Sequence, residues 1–486
     1  MFTASTYQQA IFQHLASPTH NTAVVMAGPG AGKTTTIVQG LVRGNVTGRV
    51  VAFNKNAAEA LTEKLAAAGN DSEARTFHSA GLRLCRTACT QARVDNRKYM
   101  KIVRDLMGHK HPLRWEVSWN EVVRVVEWLQ ITLGVDVKIA RDGVRLEATV
   151  QREQPAQFEA VLARFNIDAS PRSIWELVRK VLRMAVATMH RSIAFIDMVW
   201  LPVVAGLRAE APGLLVVDEA QDMSACTYAL SQILAAGDPV VYVGDPNQAI
   251  FGFAGASGGM LQRIVTEHSA RVLRLPVCYR CPTSHVAAAN NVQGLPMPGA
   301  IECAPAATQG ELGNVVDATF RTGAKDGDLV LCRYTAPLVR SCVAFLAAGV
   351  PAQVRGRKIG KGLAELARKI ERATGSIRKG ADWVAAREIE EDQAREDLFD
   401  RARAICAIAD WADAKTAKEF AKAVDEMFPD DVRGVEHSTV HRAKGNEAHT
   451  VWILQPDALT ATSEGEACCR YVALTRAKHA LYFVRD

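Results

Sequence analysis

Short apolar runs alternate with stretches of helical composition in two separate parts of the chain. In the first part, Ala23-Val24-Val25-Met26 leads through a glycine-rich turn into Thr34 to Val42, which gives the order strand, loop, helix. Arg49-Val50-Val51-Ala52-Phe53 repeats the apolar run ahead of Ala57 to Ala68, whose alanine, leucine, glutamate and lysine favour helix. Leu214-Leu215-Val216-Val217 and Val240-Val241-Tyr242-Val243 read as further buried strands, with acidic residues at their carboxyl ends. Such unbroken runs suit a parallel sheet covered on both faces. A second set, Asp328 to Cys332, Thr450 to Leu454 and Ala480 to Val484, predicts a second α/β domain.

The alternation stops in two places, roughly 93–195 and 363–431, where helix formers and charged residues dominate; both read as mainly helical insertions. The expected organisation is a first domain from 1–92 and 196–275 around the first insertion. A second domain from 276–362 and 432–486 surrounds the other. The acidic run Glu388 to Asp392 reads as a solvated helix face. A length of 486 residues implies two to four folding units, and 48% apolar against 23% charged residues implies globular domains.

Partners and compartment are only loosely bounded by composition. No run approaches the ~18 apolar residues of a membrane-spanning helix; the longest candidate, Met198 to Leu207, ends at Arg208. Met1 to Gln13 lacks the pattern of a secretory signal, so the expected location is cytoplasmic. Eleven scattered cysteines are expected to be reduced. Cys278 and Cys281 form a C-x-x-C pair, but no second pair is spaced to complete a zinc site. His437 and His441, four apart, lack the glutamate of a metalloprotease helix. A net charge of +6 is compatible with a polyanionic partner without establishing one.

The chemistry concentrates in two motifs. Ala27-Gly28-Pro29-Gly30-Ala31-Gly32-Lys33-Thr34 joins the first strand to its helix. Its small residues let backbone N–H groups close around phosphate, Lys33 reaches the outer phosphates and the Thr34 hydroxyl can ligate Mg²⁺. Alanine stands at the first position, where the general pattern has glycine. Leu214 to Val217 then runs into Asp218-Glu219-Ala220-Gln221-Asp222. An acidic residue at a strand's carboxyl end can bind Mg²⁺ beside a phosphate loop, and a second can orient water. Taken alone, this cluster would also suit the first turn of a helix; its coupling to Lys33 favours the chemical reading.

With these two motifs in place, the chain resembles the UvrD/Rep (DNA helicase II) branch of superfamily 1 helicases. The resemblance runs from Tyr7-Gln8-Gln9 to Arg476-Ala477-Lys478 and is weak only in the insertions. Between them follow, in order, Ala52-Phe53-Asn54-Lys55, Thr76-Phe77-His78-Ser79, Asp218 to Asp222, Gly244-Asp245-Pro246-Asn247-Gln248, Tyr279-Arg280, Thr439 to Glu447 and Tyr471 to Lys478. The resemblance implies two RecA-like P-loop domains with ATP and Mg²⁺ between them, and single-stranded DNA, including its junctions with duplex, as the partner.

Site residues follow from the same resemblance. Lys33, Asp218, Glu219, Gln248, Arg280 and Arg476 are the implied catalytic set, the two arginines as fingers for transition-state charge. Gln8, Gly28, Gly30, Gly32, Thr34, Thr35, Tyr279 and Glu447 are implied around the nucleotide, with Thr34 and Asp218 as metal ligands. Phe53, Phe251 and Phe253 occupy positions where the family presents rings to unpaired bases, and each has core packing as its alternative. His78 and His441 either shape the same groove or make ordinary hydrogen bonds within their motifs.

Three departures qualify the resemblance. Thr35, Ala254 and Cys278 replace an arginine, an arginine and an asparagine that are common in relatives. Thr35 leaves one side of the adenine without its usual cover. The second insertion is shorter than the family's usual one, and an end at Asp486 leaves no nuclease domain in the expected organisation. Arg442-Ala443-Lys444-Gly445 resembles the branch that moves 3′ to 5′. The resemblance thus implies a helicase or translocase, with a monomer expected. An ATP-switched DNA-binding scaffold, a translocase that strips proteins from DNA and an enzyme acting on RNA stay open as alternatives.

Overall fold

A computed structural model describes residues 3–17, 22–108, 111–139, 146–149, 155–165, 167–252, 255–256, 259–386, 392–428, 434–460 and 463–485. The chain divides into two compact units, 1–28 with 32–276, and 29–31 with 277–486.

The first unit is built on six strands, β1 (Thr22–Ala27), β2 (Arg49–Ala52), β3 (Glu73–Thr76), β4 (Leu215–Val217), β5 (Val240–Gly244) and β6 (Arg271–Leu275). They lie in the order β6-β1-β5-β4-β2-β3, and every pairing is parallel. All residues of β1, β4 and β5 are buried, as expected of central strands covered on both faces. The edge strands differ. Arg271, Val272 and Arg274 of β6 are exposed, and β3 carries Glu73 and Arg75, charge of the kind that blunts a sheet edge.

Two helices frame the loop after β1. The first, α1 (Thr6–Ala16), starts with a capping box in which Ser5 and Gln8 satisfy each other's backbone N–H. The second, α2 (Lys33–Arg43), follows the loop, and Gly40 lets it pack closely on Phe12 and Leu15 of α1.

Between β3 and β4 the chain makes a long excursion. It is tied at its root by a short parallel ladder, Arg93 and Val94 against Ser192 and Ile193. Inside lie α3 (Lys98–Met107), α4 (Trp119–Ile131), α5 (Pro155–Arg164), α6 (Pro171–Ala187) and an antiparallel hairpin of 136–139 with 146–149. Val122, Val125 and Val126 of α4, and Ile174, Val178, Val181 and Leu182 of α6, are fully buried at helical spacing, which gives the excursion its own core. The chain then returns through α7 (Asp197–Val204) to the sheet.

The second unit repeats the plan with β7 (Glu311–Val316), β8 (Leu329–Cys332), β9 (Ala352–Val354), β10 (Val435–Thr439), β11 (Ala448–Leu454) and β12 (Ala477–Arg485). Their order is β7-β12-β11-β8-β10-β9, again wholly parallel. After β8 comes α8 (Thr335–Ala347), and between β9 and β10 come α9 (Arg357–Thr374), α10 (Asp392–Trp411) and α11 (Ala417–Met427). The first of these helices begins at Arg357, directly after Gly356 at φ 130°, and so lies upstream of the 363 boundary read from composition. Ile370, Ile405, Ile408, Phe420 and Val424 join Val330, Val339 and Phe345 in one apolar cluster. These helices therefore extend the core of the sheet. Among the described residues no helix is long and apolar enough to cross a membrane.

Candidate nucleotide site and nucleic-acid groove

The loop after β1 is shaped by backbone. Gly28 donates its N–H to the Leu275 carbonyl at 2.9 Å, and a Cβ there would sit 3.3 Å from the Pro276 oxygen. Gly32, the N-cap of α2, has φ 77°, a left-handed conformation that glycine adopts without steric cost. The first N–H groups of α2 have no intrahelical acceptor and face the same space as the loop, an arrangement suited to an anion.

Acidic side chains surround Lys33. Its Nζ lies 3.2 Å from Glu219 Oε1. Burial opposes the charge on Lys33, but Glu219, Asp245 and Asp218 outweigh it and hold the pKa above its ordinary value. Asp218 extends β4 by donating its N–H to the Val51 carbonyl, and its Oδ1 accepts the Glu219 N–H at 2.9 Å. Burial first and the neighbouring Glu219 second push the Asp218 carboxyl up to about 7, against the pull of Lys33. Glu219 itself has φ 52°, a left-handed backbone that costs a non-glycine residue roughly 1–2 kcal/mol. Such strain is common where a side chain must be aimed.

One residue joins the two acidic motifs. Gln221 donates Nε2 to Glu219 Oε2 at 2.6 Å, while its Oε1 accepts the Asp245 N–H at 3.0 Å. A Cβ at Gly244 would collide with that amide, which accounts for the glycine at the end of β5. Asp245 then accepts Gln248 Nε2 at 2.6 Å and the Asn247 N–H at 3.0 Å. Burial raises the pKa of Asp245, with Lys33 opposing. Lys33, Glu219, Gln221, Asp245 and Gln248 thus form one continuous polar chain.

Gln8 lies against the same loop. Its Nε2 would be 3.9 Å from a Cβ on Gly32 and donates to Thr36 Oγ1 at 3.1 Å, while its Oε1 accepts the Ser5 N–H. Thr34 is half-buried and Thr35 exposed.

Arg280, Glu447, Arg476, Tyr279 and His441 lie in the second unit. Arg280 Nε and Lys478 Nζ each approach the Glu447 carboxylate at 2.5 Å. The Arg280 contact is an ion pair. Its Nη1 donates to the Thr475 carbonyl. Burial would raise the Glu447 pKa, but Lys478 and Arg280 lower it. Arg476 is 1% exposed and donates to the carbonyls of Val472 and Asn446 and to Thr475 Oγ1. Tyr279 is half exposed. The Cys278 sulfur accepts the Cys281 N–H at 3.3 Å, and hydrogen bonding from the Cys281 thiol, against burial, draws its pKa down to about 6. His441 is half-buried on a short helix after β10, and burial lowers its pKa to about 4.

Beside the polar chain of the first unit opens an aromatic groove of about 530 Å³. Phe53 and Phe251 stack at 5.5 Å with 14° between their planes, and His78 stacks on Phe195 at 3.8 Å and 15°. Phe53 and Phe195 are 41% and 56% exposed, which core packing does not explain. Burial lowers the His78 pKa to about 4. The far wall is α4 with Phe165, where Arg164 covers the Trp128 ring and Arg124 covers that of Phe165. Phe253 and Ala254 lie outside the described residues.

Sequence reasoning passed over Gln221 as a connector, and over Phe195, Trp128 and Phe165 as groove residues. Gln221 lies inside a recognised motif, so its position was visible and its two-way bonding was not. Phe195 stands where the excursion returns to the sheet, a location that carries no periodic signal.

A phosphate loop, a paired acidic motif joined to it and a flat-walled aromatic groove define a P-loop nucleotide-binding protein with a surface suited to unstacked bases. Comparison with known families agrees. The model of the UvrD/REP helicase N-terminal domain matches residues 6–268, more than half of the chain, and that of the UvrD-like helicase C-terminal domain matches 434–484. The chain belongs to the UvrD/REP helicase family. Among solved structures, it is similar to the arterivirus nonstructural protein 10 (helicase) at 12% identity and a TM-score of 0.36. The match covers 98% of this chain, which spans 62% of that one. The comparison with curated proteins gives no match.

Proposed function

We propose that the protein is an ATP-dependent DNA helicase or translocase that moves 3′ to 5′ on single-stranded DNA and acts at its junctions with duplex. One observation carries this reading: the same two segments contribute to both the polar chain around Lys33 and the aromatic groove. Glu219 and Gln221 belong to the polar chain while Asp222, Met223 and Ser224 line the groove, and Gln248 belongs to the chain while Phe251 lines the groove. A change of bonding at Glu219 or Gln248 is thus only a few residues of backbone from the rings.

In this mechanism Lys33 and the N–H groups of α2 hold the outer phosphates of ATP. Glu219, aimed by its left-handed backbone and held by Gln221, accepts a proton from the attacking water. The oxygens of Asp218 and Thr34 suit Mg²⁺, which takes one or two protein ligands and fills its shell with water and phosphate. When bound, the ion would neutralise developing phosphate charge. Arg280 and Arg476 are assigned to transition-state charge by the family resemblance, which also supports the polarity. Phe53, Phe251 and His78 face unpaired bases, and stacking on them tolerates any sequence.

Strand displacement on DNA and RNA duplexes carrying either a 3′ or a 5′ tail tests the reading. Unwinding only of 3′-tailed DNA, dependent on ATP and Mg²⁺, is the expected result. ATP hydrolysis with no displacement would favour a switched scaffold or a translocase that strips proteins. Preference for RNA or for a 5′ tail would overturn the substrate or the polarity.

A further inference from the structure

A wholly buried polar network lies behind the groove, and nothing in the nucleotide chemistry uses it. Asp197, at the start of α7, accepts Lys98 Nζ at 2.6 Å, Tyr99 OH at 2.5 Å and the Ala194 N–H at 2.9 Å. The Tyr99 oxygen in turn accepts Gln130 Nε2 at 2.5 Å. None of these four side-chain residues is more than 3% exposed. Burial and the adjacent Asp197 carboxylate raise the Tyr99 pKa well above its usual value, so the phenol stays a donor.

A buried ion pair is a poor source of stability compared with an apolar replacement of the same shape, which directs attention to what its geometry holds in place. Here the geometry converges on the groove. The bond from Ala194 to Asp197 closes a tight loop whose second residue is Phe195, the ring stacked on His78. Gln130 lies on the last turn of α4, between Trp128 and Ile131, both of which line the opposite wall. Tyr99, from the first turn of α3, bonds to both Asp197 and Gln130 and so ties the two walls together, while Lys98 beside it pairs with Asp197.

We propose that Lys98, Tyr99, Gln130 and Asp197 act as positioning residues that hold Phe195 and the α4 wall at the spacing needed to receive unpaired bases. The proposal rests on the reading of the groove as the single-stranded DNA site. The network sets how well DNA is gripped, and through that how much DNA is needed to stimulate ATP hydrolysis. It does not touch the nucleotide.

The test uses the full chain, an oligo-dT ligand and four proteins: wild type, Tyr99→Phe, Val181→Ala and Phe195→Ala. Val181 is fully buried in the core of the excursion and is apolar, so it makes none of the network's hydrogen bonds and its truncation is a control for stability loss alone. Tyr99→Phe should raise the DNA concentration for half-maximal ATPase stimulation by about fivefold or more, the factor expected when one weak stacking contact is lost. DNA-free hydrolysis and the KM for ATP should be unchanged. Val181→Ala should lower the melting temperature without moving DNA half-saturation. A Tyr99→Phe protein that behaves like Val181→Ala, while Phe195→Ala binds DNA weakly, overturns the positioning role and leaves the groove reading intact. A Phe195→Ala protein with unaltered DNA half-saturation overturns the groove reading and the proposal with it. Should Tyr99→Phe not fold, Gln130→Met removes only the outermost link and carries the same expectations.

Discussion

Replacing Asp218 by asparagine should stabilise the nucleotide-free protein while abolishing its chemistry, and the gain should depend on pH. Asp218 is 4% exposed, and its carboxyl is raised from 3.8 to about 7, chiefly by burial and then by Glu219. The folded state therefore keeps this proton to a higher pH than the unfolded chain does. Stability contributed at low pH is lost as pH climbs from about 4 to about 7, at no more than ~1.4 kcal/mol per unit. Asparagine has no proton to lose and still offers an oxygen to the Glu219 N–H. Between pH 5 and pH 7 the variant should thus gain up to roughly 2–3 kcal/mol relative to wild type. For a unit of this size that corresponds to roughly 5 °C or somewhat more in melting temperature. Scanning calorimetry in chelator at pH 5, 6, 7 and 8 measures the difference directly. A difference that is flat with pH, or that shrinks as pH rises, would refute the assignment of a buried, proton-retaining carboxylate.

Lys33→Ala should weaken ATP binding, whereas Glu219→Gln should bind ATP nearly as wild type and lose turnover; nucleotide titration with single-turnover kinetics separates the two. Both Arg280→Ala and Arg476→Ala should cut DNA-stimulated turnover, but their effects on stability should differ. The Arg476 side chain is buried on three acceptors, so its loss should also cost about 1–3 kcal/mol in unfolding free energy. Arg280 leaves Glu447 paired with Lys478, so its melting temperature should hold. With its pKa lowered to about 4 by burial, His78 is neutral above pH 5. The affinity for oligo-dT should then be flat from pH 6 to pH 8 apart from salt effects, and a rise in affinity below pH 7 that vanishes in His78→Gln would show that the ring titrates in the groove.

What could be read from the sequence was set by burial. Strands such as β1 and β5, covered on both faces, had to be continuous apolar runs, and they announced themselves. Edge strands had no such obligation: Glu73-Ala74-Arg75-Thr76 and the exposed β7 look like loop from composition alone. The phosphate loop and Asp218-Glu219 were legible because each is a run of contiguous residues. The groove was legible in part. Phe53, His78 and Phe251 lie in recognisable motifs, whereas Trp128, Phe165 and Phe195 meet them only through the three-dimensional return of the excursion. Amphipathic helices in the second unit showed an apolar face without showing its partner, and that partner proved to be the core of the sheet.

The short ladder of Arg93–Val94 with Ser192–Ile193 bears on how such a protein can change over evolutionary time. Because the chain leaves and re-enters at one spot, the segment between behaves as a cassette. Its length and content can vary without moving the six strands on which the nucleotide chemistry stands. Closure entropy hardly resists such change, since each doubling of loop length costs only about 0.6 kcal/mol. Phe195 lies just outside the cassette and Trp128 and Phe165 within it. Descendants could therefore exchange one bank of the groove for another while inheriting the opposite bank and the engine unaltered.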